Sequence, residues 1–114
     1  MHTSNTVRLG ACRKRAGLDQ AELAHLAGVH VRSGISRLET GSRLPDARTL
    51  IAYELLFGHK AQTLLPDTAR GERRRILSFA KLLLRRIDRS VVSQPKAKIA
   101  FLKALIARLE GGTE

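Results

Sequence analysis

The sequence predicts an all-α protein, and three observations favour that class. Aromatic residues make up 4% of the 114 residues, with no Trp and one Tyr, so the interior must be built from aliphatic side chains. Those side chains recur at intervals of three and four residues along most of the chain. Glycine, and in one place proline, follows the periodic segments where a helix would end. A chain of this length has room for one compact domain with a short helical appendage.

The first three predicted helices are short and closely spaced. Apolar residues at helical intervals mark the first, and Asp19 with Glu22 three residues later forms a capping-box signature that begins the second. In the third helix, Ile35 and Leu38 face inward. A glycine follows each of these helices and can adopt the left-handed conformation of a C-terminal cap. The predicted bounds are Asn5–Ala16, Gln20–Ala27 and Arg32–Glu39.

Two further helices complete the predicted domain. Asp46 is a favourable N-cap residue and begins a fourth helix that runs to about Phe57, where Gly58 ends it. A short fifth helix covers about residues 61–65 and stops at Pro66.

Beyond Pro66 the sequence predicts a helical hairpin. A sixth helix covers Thr68–Arg89, a break follows over residues 90–95, and a seventh helix covers Lys96–Glu110. Both helices are amphipathic, and their apolar stripes are typical of a core or a dimer seam. The stripe of the sixth helix consists of Ile76, Phe79, Ala80, Leu83 and Ile87. The chain therefore divides into a helical domain over residues 5–66 and a basic hairpin over residues 67–114, which we expect to serve packing or dimerisation.

The charge balance indicates a polyanionic partner. Lys and Arg number 21 against 10 Asp and Glu, which gives a net charge of +11 and an isoelectric point near 11.3. Nucleic acid is the first candidate, but an acidic protein or an anionic membrane surface could use the same charge. The hairpin carries 12 Lys and Arg against 5 Asp and Glu, and is more basic than the preceding domain. Its runs Arg73–Arg75 and Arg85–Arg86 could grip flanking phosphates.

Several functional classes find no support in the residues. The sequence has no Gly-rich phosphate loop, no paired carboxylates in a plausible cleft and no nucleophile beside a base, so we expect no enzyme and no cofactor. The four histidines and the single cysteine, Cys12, lack metal-ligand spacing, so we expect no metal. No segment approaches a membrane span and the N-terminus lacks a secretory pattern, so we expect a cytoplasmic protein.

Residues 17–41 have the features of a helix-turn-helix. Reading duplex DNA requires one short helix held across the major groove by a second helix packed against it through a tight turn. Ala24 is small where the two helices would cross, and Gly28 permits the turn. The third helix is then left free to expose four polar residues, namely Arg32, Ser33, Ser36 and Arg37.

In these residues the chain resembles the Cro and phage-repressor (xenobiotic-response-element) type of helix-turn-helix family, over Leu9–Pro66. The resemblance lies in the order and spacing of three segments. They are GLDQAELA at residues 17–24, ISRLETG at residues 35–41, and RLP at residues 43–45 followed by Thr49 and Leu50. The resemblance implies a five-helix, lambda-repressor-like DNA-binding domain, here followed by a C-terminal helical hairpin.

The resemblance also implies roles for individual residues. It assigns Gln20 a phosphate contact, and it places the four polar residues of the third helix at base edges or flanking phosphates. Arginine suits the paired acceptors of guanine, so we expect Arg32 and Arg37 to read bases. Arg43 and the backbone amides near Gly41 and Ser42 would touch the sugar-phosphate chain. Apart from the resemblance, His30 lies in the turn, where it could meet a phosphate. Family members often join the first and third helices by an ion pair, which Arg13 and Glu39 would form here.

The turn departs from the commonest family pattern. Ile35 lies seven positions after Gly28, where six are usual, so one extra residue lies within His30–Arg32. The sequence leaves open which of these residues begins the recognition helix, and therefore whether Arg32 reaches a base or only a phosphate.

The function that fits these features is sequence-specific binding of double-stranded DNA by a homodimeric transcriptional repressor on a near-palindromic operator, in a bacterial cytoplasm and associated with the nucleoid. An alternative is an antitoxin-like DNA-binding module whose hairpin binds a partner protein. A third possibility is nonspecific or RNA binding driven by charge alone.

Overall fold

A computed structural model describes residues 4–111, and every regular element in that range is a helix. This confirms the all-α class. The seven helices are α1 (Ser4–Arg15), α2 (Gln20–Ala27), α3 (Arg32–Thr40), α4 (Ala47–Phe57), α5 (Ala61–Leu64), α6 (Pro66–Arg89) and α7 (Lys96–Gly111). The chain divides into two compact units, Met1–Ala69 and Arg70–Glu114.

Helix α2 begins and ends with the caps that its sequence predicts. The Asp19 carboxylate accepts a hydrogen bond from the backbone N–H of Glu22 at 2.7 Å. The Glu22 carboxylate accepts one from the Asp19 N–H at 2.9 Å, so two otherwise unpaired N–H groups are satisfied reciprocally. At the other end Gly28 has φ 72°, a left-handed conformation that side chains disfavour.

The core of the first unit is aliphatic apart from one ring. Helix α3 packs against both α1 and α2, and α4 packs against α2 and α5. The buried hydrophobic residues are Leu9, Cys12, Leu23, Ala24, Ala27, Ile35, Leu38, Tyr53, Leu64 and Leu65. Tyr53 has no exposed surface and meets Phe57 edge-on, with ring centroids 5.6 Å apart. Its hydroxyl has no hydrogen-bond partner among the described residues, and burial raises the pKa of that hydroxyl.

Helix α6 begins earlier than the sequence prediction. Periodicity places its start at Thr68, but in the structure the helix begins at Pro66, two positions after the last residue of α5. Proline favours the first position of a helix because its φ angle is already helical and its missing N–H would be unpaired there. Pro66 therefore starts α6, and only Leu65 separates it from α5.

The second unit is a helical hairpin. The Lys81 ammonium pairs with the Glu110 carboxylate at 2.5 Å, and Lys98 near the start of α7 lies beside Arg86 and Ile87 near the end of α6, so the helices run antiparallel. Ala80 of α6 and Leu102 of α7 are buried. Three large apolar side chains of these two helices stay exposed, by 58% for Phe79, 43% for Leu83 and 60% for Phe101. None of the helices within residues 4–111 is long and apolar enough to cross a membrane.

Candidate nucleic-acid interface

Helices α2 and α3 form a bihelical unit joined by the turn at residues 28–31. Ala24, Ile35 and Leu38 are buried at 4%, 0% and 4% exposure, and they hold the two helices together through apolar contact. The Val29 N–H donates to the Ala24 carbonyl at 2.8 Å, which folds the turn back onto α2. This packing leaves the opposite side of α3 open to solvent.

The structure sets the start of α3 at Arg32. Val31 is the N-cap, with extended backbone and no side-chain capping hydrogen bond within the described part of the chain. His30 lies in the bend before it and is exposed. Of the three positions that the sequence leaves open, Arg32 is therefore the first helical residue, and the extra residue of the turn lies outside the helix.

The exposed face of α3 carries the polar residues that the sequence singles out. Arg32, Ser33 and Arg37 are exposed, whereas Ser36 is half-buried. Ser33 and Arg37 are four residues apart and lie on the same side of the helix. A guanidinium offers a planar set of donors that matches the two acceptors of a guanine edge, and a serine hydroxyl can donate or accept.

The loop after α3 folds onto the end of that helix. The Arg37 carbonyl accepts hydrogen bonds from the Thr40 hydroxyl at 3.3 Å, the Ser42 hydroxyl at 3.4 Å and the Arg43 N–H at 3.3 Å. Gly41 permits this bend with φ 83°. The Arg43 side chain is exposed beside the loop.

One hydrogen-bonded cluster joins three helices through Arg13 of α1, Gln20 of α2 and Glu39 of α3. The Arg13 guanidinium donates to Glu39 through Nε at 2.7 Å and Nη2 at 3.1 Å, and these side chains are only 13% and 10% exposed. The hydrogen bond to Glu39 raises the pKa of Arg13. Arg13 also donates to the Leu18 carbonyl at 2.9 Å, so this side chain joins α1 to the link that precedes α2 and to the end of α3.

Gln20 belongs to the same cluster. Its side-chain amide donates to Glu39 Oε1 at 3.2 Å, and the residue is half-buried at the first position of α2. An amide side chain has two N–H donors and an oxygen acceptor, so this bond leaves polar capacity for a phosphate. The contact fixes where the amide lies.

Arg48 joins the site although sequence reasoning missed it. From the second residue of α4 its guanidinium donates to the Ala27 carbonyl at 3.1 Å and to the Gly28 carbonyl at 2.9 Å. The partners are backbone atoms 20 and 21 residues away, and side-chain identity does not mark such atoms. No pattern in the sequence could have found this contact.

A cleft of about 380 Å³ lies beside the turn. Four basic side chains line it, namely His30, Arg37, Arg43 and Arg48. Among the described residues one carboxylate lines it, that of Asp46, which accepts the Thr49 N–H at 2.9 Å and caps α4. The structure thus brings three predicted contact residues to one basic cleft, whereas Gln20, Arg32, Ser33, Ser36 and Ser42 lie outside its lining.

The titratable residues that the structure describes show no arrangement suited to a metal. Within residues 4–111, no group of three or more His, Cys, Asp or Glu side chains is placed to hold a metal ion. Cys12 is buried in the core, and that burial raises the pKa of its thiol.

Comparison with known proteins matches part of the chain to a family. The family model for a helix-turn-helix matches residues 9–61, which include the end of α1, all of α2, α3 and α4, and the start of α5. No curated protein and no solved structure shows significant similarity to the chain.

Proposed function

Residues 9–61 are a helix-turn-helix domain of the Cro and phage-repressor family, a family of DNA-binding transcription regulators, and from this premise we propose that the protein is a homodimeric repressor. It binds a near-palindromic operator in the bacterial cytoplasm, associated with the nucleoid. The two recognition helices of the dimer lie about 34 Å apart, and each enters one of two successive turns of the major groove.

The observation that carries the proposal is the division of α3 into two faces. One face buries Ile35 and Leu38, and the other presents Arg32, Ser33 and Arg37 to solvent. A helix that is fixed by contacts of its buried face can lie in a major groove through its opposite face, without disturbing the core. Arg32 and Arg37 supply the planar donors for base edges, and Ser33 and Ser36 supply hydroxyls.

Phosphate contacts then set the orientation of the domain on the duplex. Gln20 at the start of α2 and Arg43 after α3 flank the recognition helix in the chain, with Ser42 beside Arg43 and His30 in the turn. Contacts from these residues carry no sequence information but fix the register of α3 over the bases. The ion pair of Arg13 and Glu39 acts behind them as a structural support.

The hairpin supplies the dimer contact in this proposal. Its exposed Phe79, Leu83 and Phe101 would bury apolar surface that is now in contact with water when they pack against a second copy. The hairpin holds 12 Lys and Arg against 5 Asp and Glu, so it also adds attraction for DNA that does not depend on sequence.

A second candidate function is supported by a groove within the hairpin. A space of about 540 Å³ has an apolar floor that includes Ile87 and Leu102, and Arg86 and Lys98 stand at its edge. None of the described carboxylates lines it. An antitoxin-like module would use such a surface for a partner protein, and an adjacent reading frame for a small toxic protein would favour this alternative.

Selection of bound fragments from a random duplex pool tests the leading proposal. We expect enrichment of one sequence with two inverted half-sites about 10 base pairs apart, centre to centre. Arg37→Ala should relax the preference at particular base pairs, whereas Arg43→Ala should weaken binding evenly and flatten its salt dependence. A pool that stays random after selection, or preferential retention of single-stranded RNA, would contradict the proposal.

A further inference from the structure

We propose that Arg48 is a positioning residue that fixes the turn of the helix-turn-helix, and with it the start of the recognition helix. The inference rests on the proposed function of α3 in DNA binding. Arg48 lies in α4, outside the two helices of the motif, and its guanidinium donates to the Ala27 carbonyl at 3.1 Å and to the Gly28 carbonyl at 2.9 Å.

These carbonyls belong to the end of α2, where a helix leaves its last acceptors unpaired. The Gly28 and Val29 N–H groups satisfy carbonyls one turn earlier, at Ala24 and His25. Arg48 supplies donors for the Ala27 and Gly28 carbonyls at the end of α2, and its positive charge lies at the negative end of the α2 dipole. The planar guanidinium can place two donors side by side, which a lysine ammonium on its single nitrogen cannot do in the same geometry.

The base from which Arg48 reaches the turn is itself fixed. Asp46 caps α4 by accepting the Thr49 N–H at 2.9 Å, and Thr49 is only 5% exposed. Arg48 lies between these two residues on the first turn of α4. The turn at residues 28–31 is therefore connected to a well-anchored helix end.

The recognition helix has little capping support of its own. Its N-cap residue, Val31, makes no side-chain capping hydrogen bond to the described residues and is 57% exposed. What holds the turn from within is the close packing of Val29 on Gly34, where a methyl group added to Gly34 would lie 2.5 Å from Val29 Cγ1. Since α3 begins directly after this turn, a change in the turn moves the first residues that face DNA.

The guanidinium also lies close against Gly28. A Cβ at that position would stand 2.7 Å from Arg48 Nη1, so a side chain there would displace the guanidinium, and the φ of 72° separately favours glycine. Gly28 and the Arg48 guanidinium thus pack directly against each other.

A direct phosphate contact by Arg48 is the competing explanation, because a guanidinium has five N–H donors and the contacts to the described residues use only two. The experiment must separate this contact from the positioning role.

The experiment measures binding of the full-length protein to the duplex selected from the random pool and to a random duplex of equal length, over a range of salt concentrations. We expect Arg48→Ala and Arg48→Lys both to lose about tenfold in preference for the selected duplex, as the loss of one or two hydrogen bonds implies. Binding to the random duplex and the slope of its salt dependence should not change. Lys60→Ala, which removes an exposed charge from the first unit, is the control and should leave the preference intact.

A phosphate contact gives a different result. Arg48→Lys would then keep the preference, and Arg48→Ala would weaken binding to both duplexes and reduce the salt slope by about 0.9, the value of one lost phosphate contact. Either result overturns the proposal.

Amide hydrogen exchange in the free protein tests the positioning role independently of DNA. We expect the amides of Val29 and Gly34, which donate hydrogen bonds to the Ala24 and Val31 carbonyls, to exchange at least about tenfold faster in Arg48→Ala than in the wild type, with the α1 amides unchanged. Equal exchange rates would refute the role. If the wild type selects no duplex, the proposed DNA function fails, and the exchange measurement still decides the role of Arg48.

Discussion

Removal of the Glu39 carboxylate should destabilise the first unit more than removal of any single charged side chain on its surface. Glu39 accepts two hydrogen bonds from Arg13, at 2.7 and 3.1 Å, and one from Gln20 at 3.2 Å. In Glu39→Ala all three are lost. The Arg13 guanidinium then stays charged in a site where only 13% of its side chain is exposed, and it retains its bond to the Leu18 carbonyl.

The magnitude follows from these contacts. A hydrogen bond to a charged group contributes about 1.5 to 3 kcal/mol, and breaking a buried ion pair from one side costs about 3 to 5 kcal/mol. Because the Glu39 pair retains 10% to 13% exposure, we expect a loss of about 3 kcal/mol in the free energy of unfolding. For a unit of this size that corresponds to a midpoint lowered by more than about 10 °C.

Tyrosine fluorescence can measure this loss in the full-length protein. The chain has one Tyr and no Trp, and Tyr53 lies in the core of the first unit, so its emission reports the unfolding of that unit. Lys14→Ala is the matched control, because Lys14 follows Arg13 on α1 but is exposed, and its loss should change stability by less than about 0.5 kcal/mol. A Glu39→Ala protein that stays within about 0.5 kcal/mol of the wild type, the range of a surface substitution, would refute the reasoning.

Three further predictions concern the same unit. Tyr53→Phe should keep or raise stability by about 1 kcal/mol, because it removes a buried hydroxyl that has no partner among the described residues; circular dichroism would show a lower midpoint if that hydroxyl were paired. Asp46→Ala should lower the midpoint at neutral pH. Hydrogen bonds from Thr49 hold the pKa of Asp46 below its usual value. The difference in midpoint between the wild type and the variant is therefore full above about pH 4 and disappears as the pH falls through the folded-state pKa of Asp46. A difference in midpoint that persists in acid would argue against the cap. Gly34→Ala should destabilise the protein despite the better helix propensity of alanine, because the added methyl group would lie 2.5 Å from Val29 Cγ1. Val29→Ala in the same protein should restore part of the lost thermal stability. Equal losses of stability in the single and double variants would count against the contact.

The helices were predictable because their signals are local. The Asp19 and Glu22 caps of α2, and the Asp46 cap of α4, act within one turn of the backbone, so residue type and spacing are enough to find them. The start of α6 at Pro66 is also a local signal, but proline acts there as the first helical residue and not as a boundary.

The site was predictable only in part. The exposure of Arg32, Ser33 and Arg37 follows from helical periodicity once α3 is placed. The role of Arg48 does not, because its partners are carbonyls of a distant helix end, and every residue has a carbonyl. The start of α3 at Arg32 likewise required the structure, since the longer turn allowed three registers.

The affinity ratio between operator and random DNA tests the central claim most directly. The full-length protein is titrated, at a salt concentration of about 0.15 M, against the duplex enriched by selection and against a shuffled duplex of the same length. The proposed function predicts binding to the enriched duplex that is at least about 1,000-fold tighter. Equal affinity for the two duplexes would show that charge alone drives binding, and would contradict a repressor that reads its operator through α3.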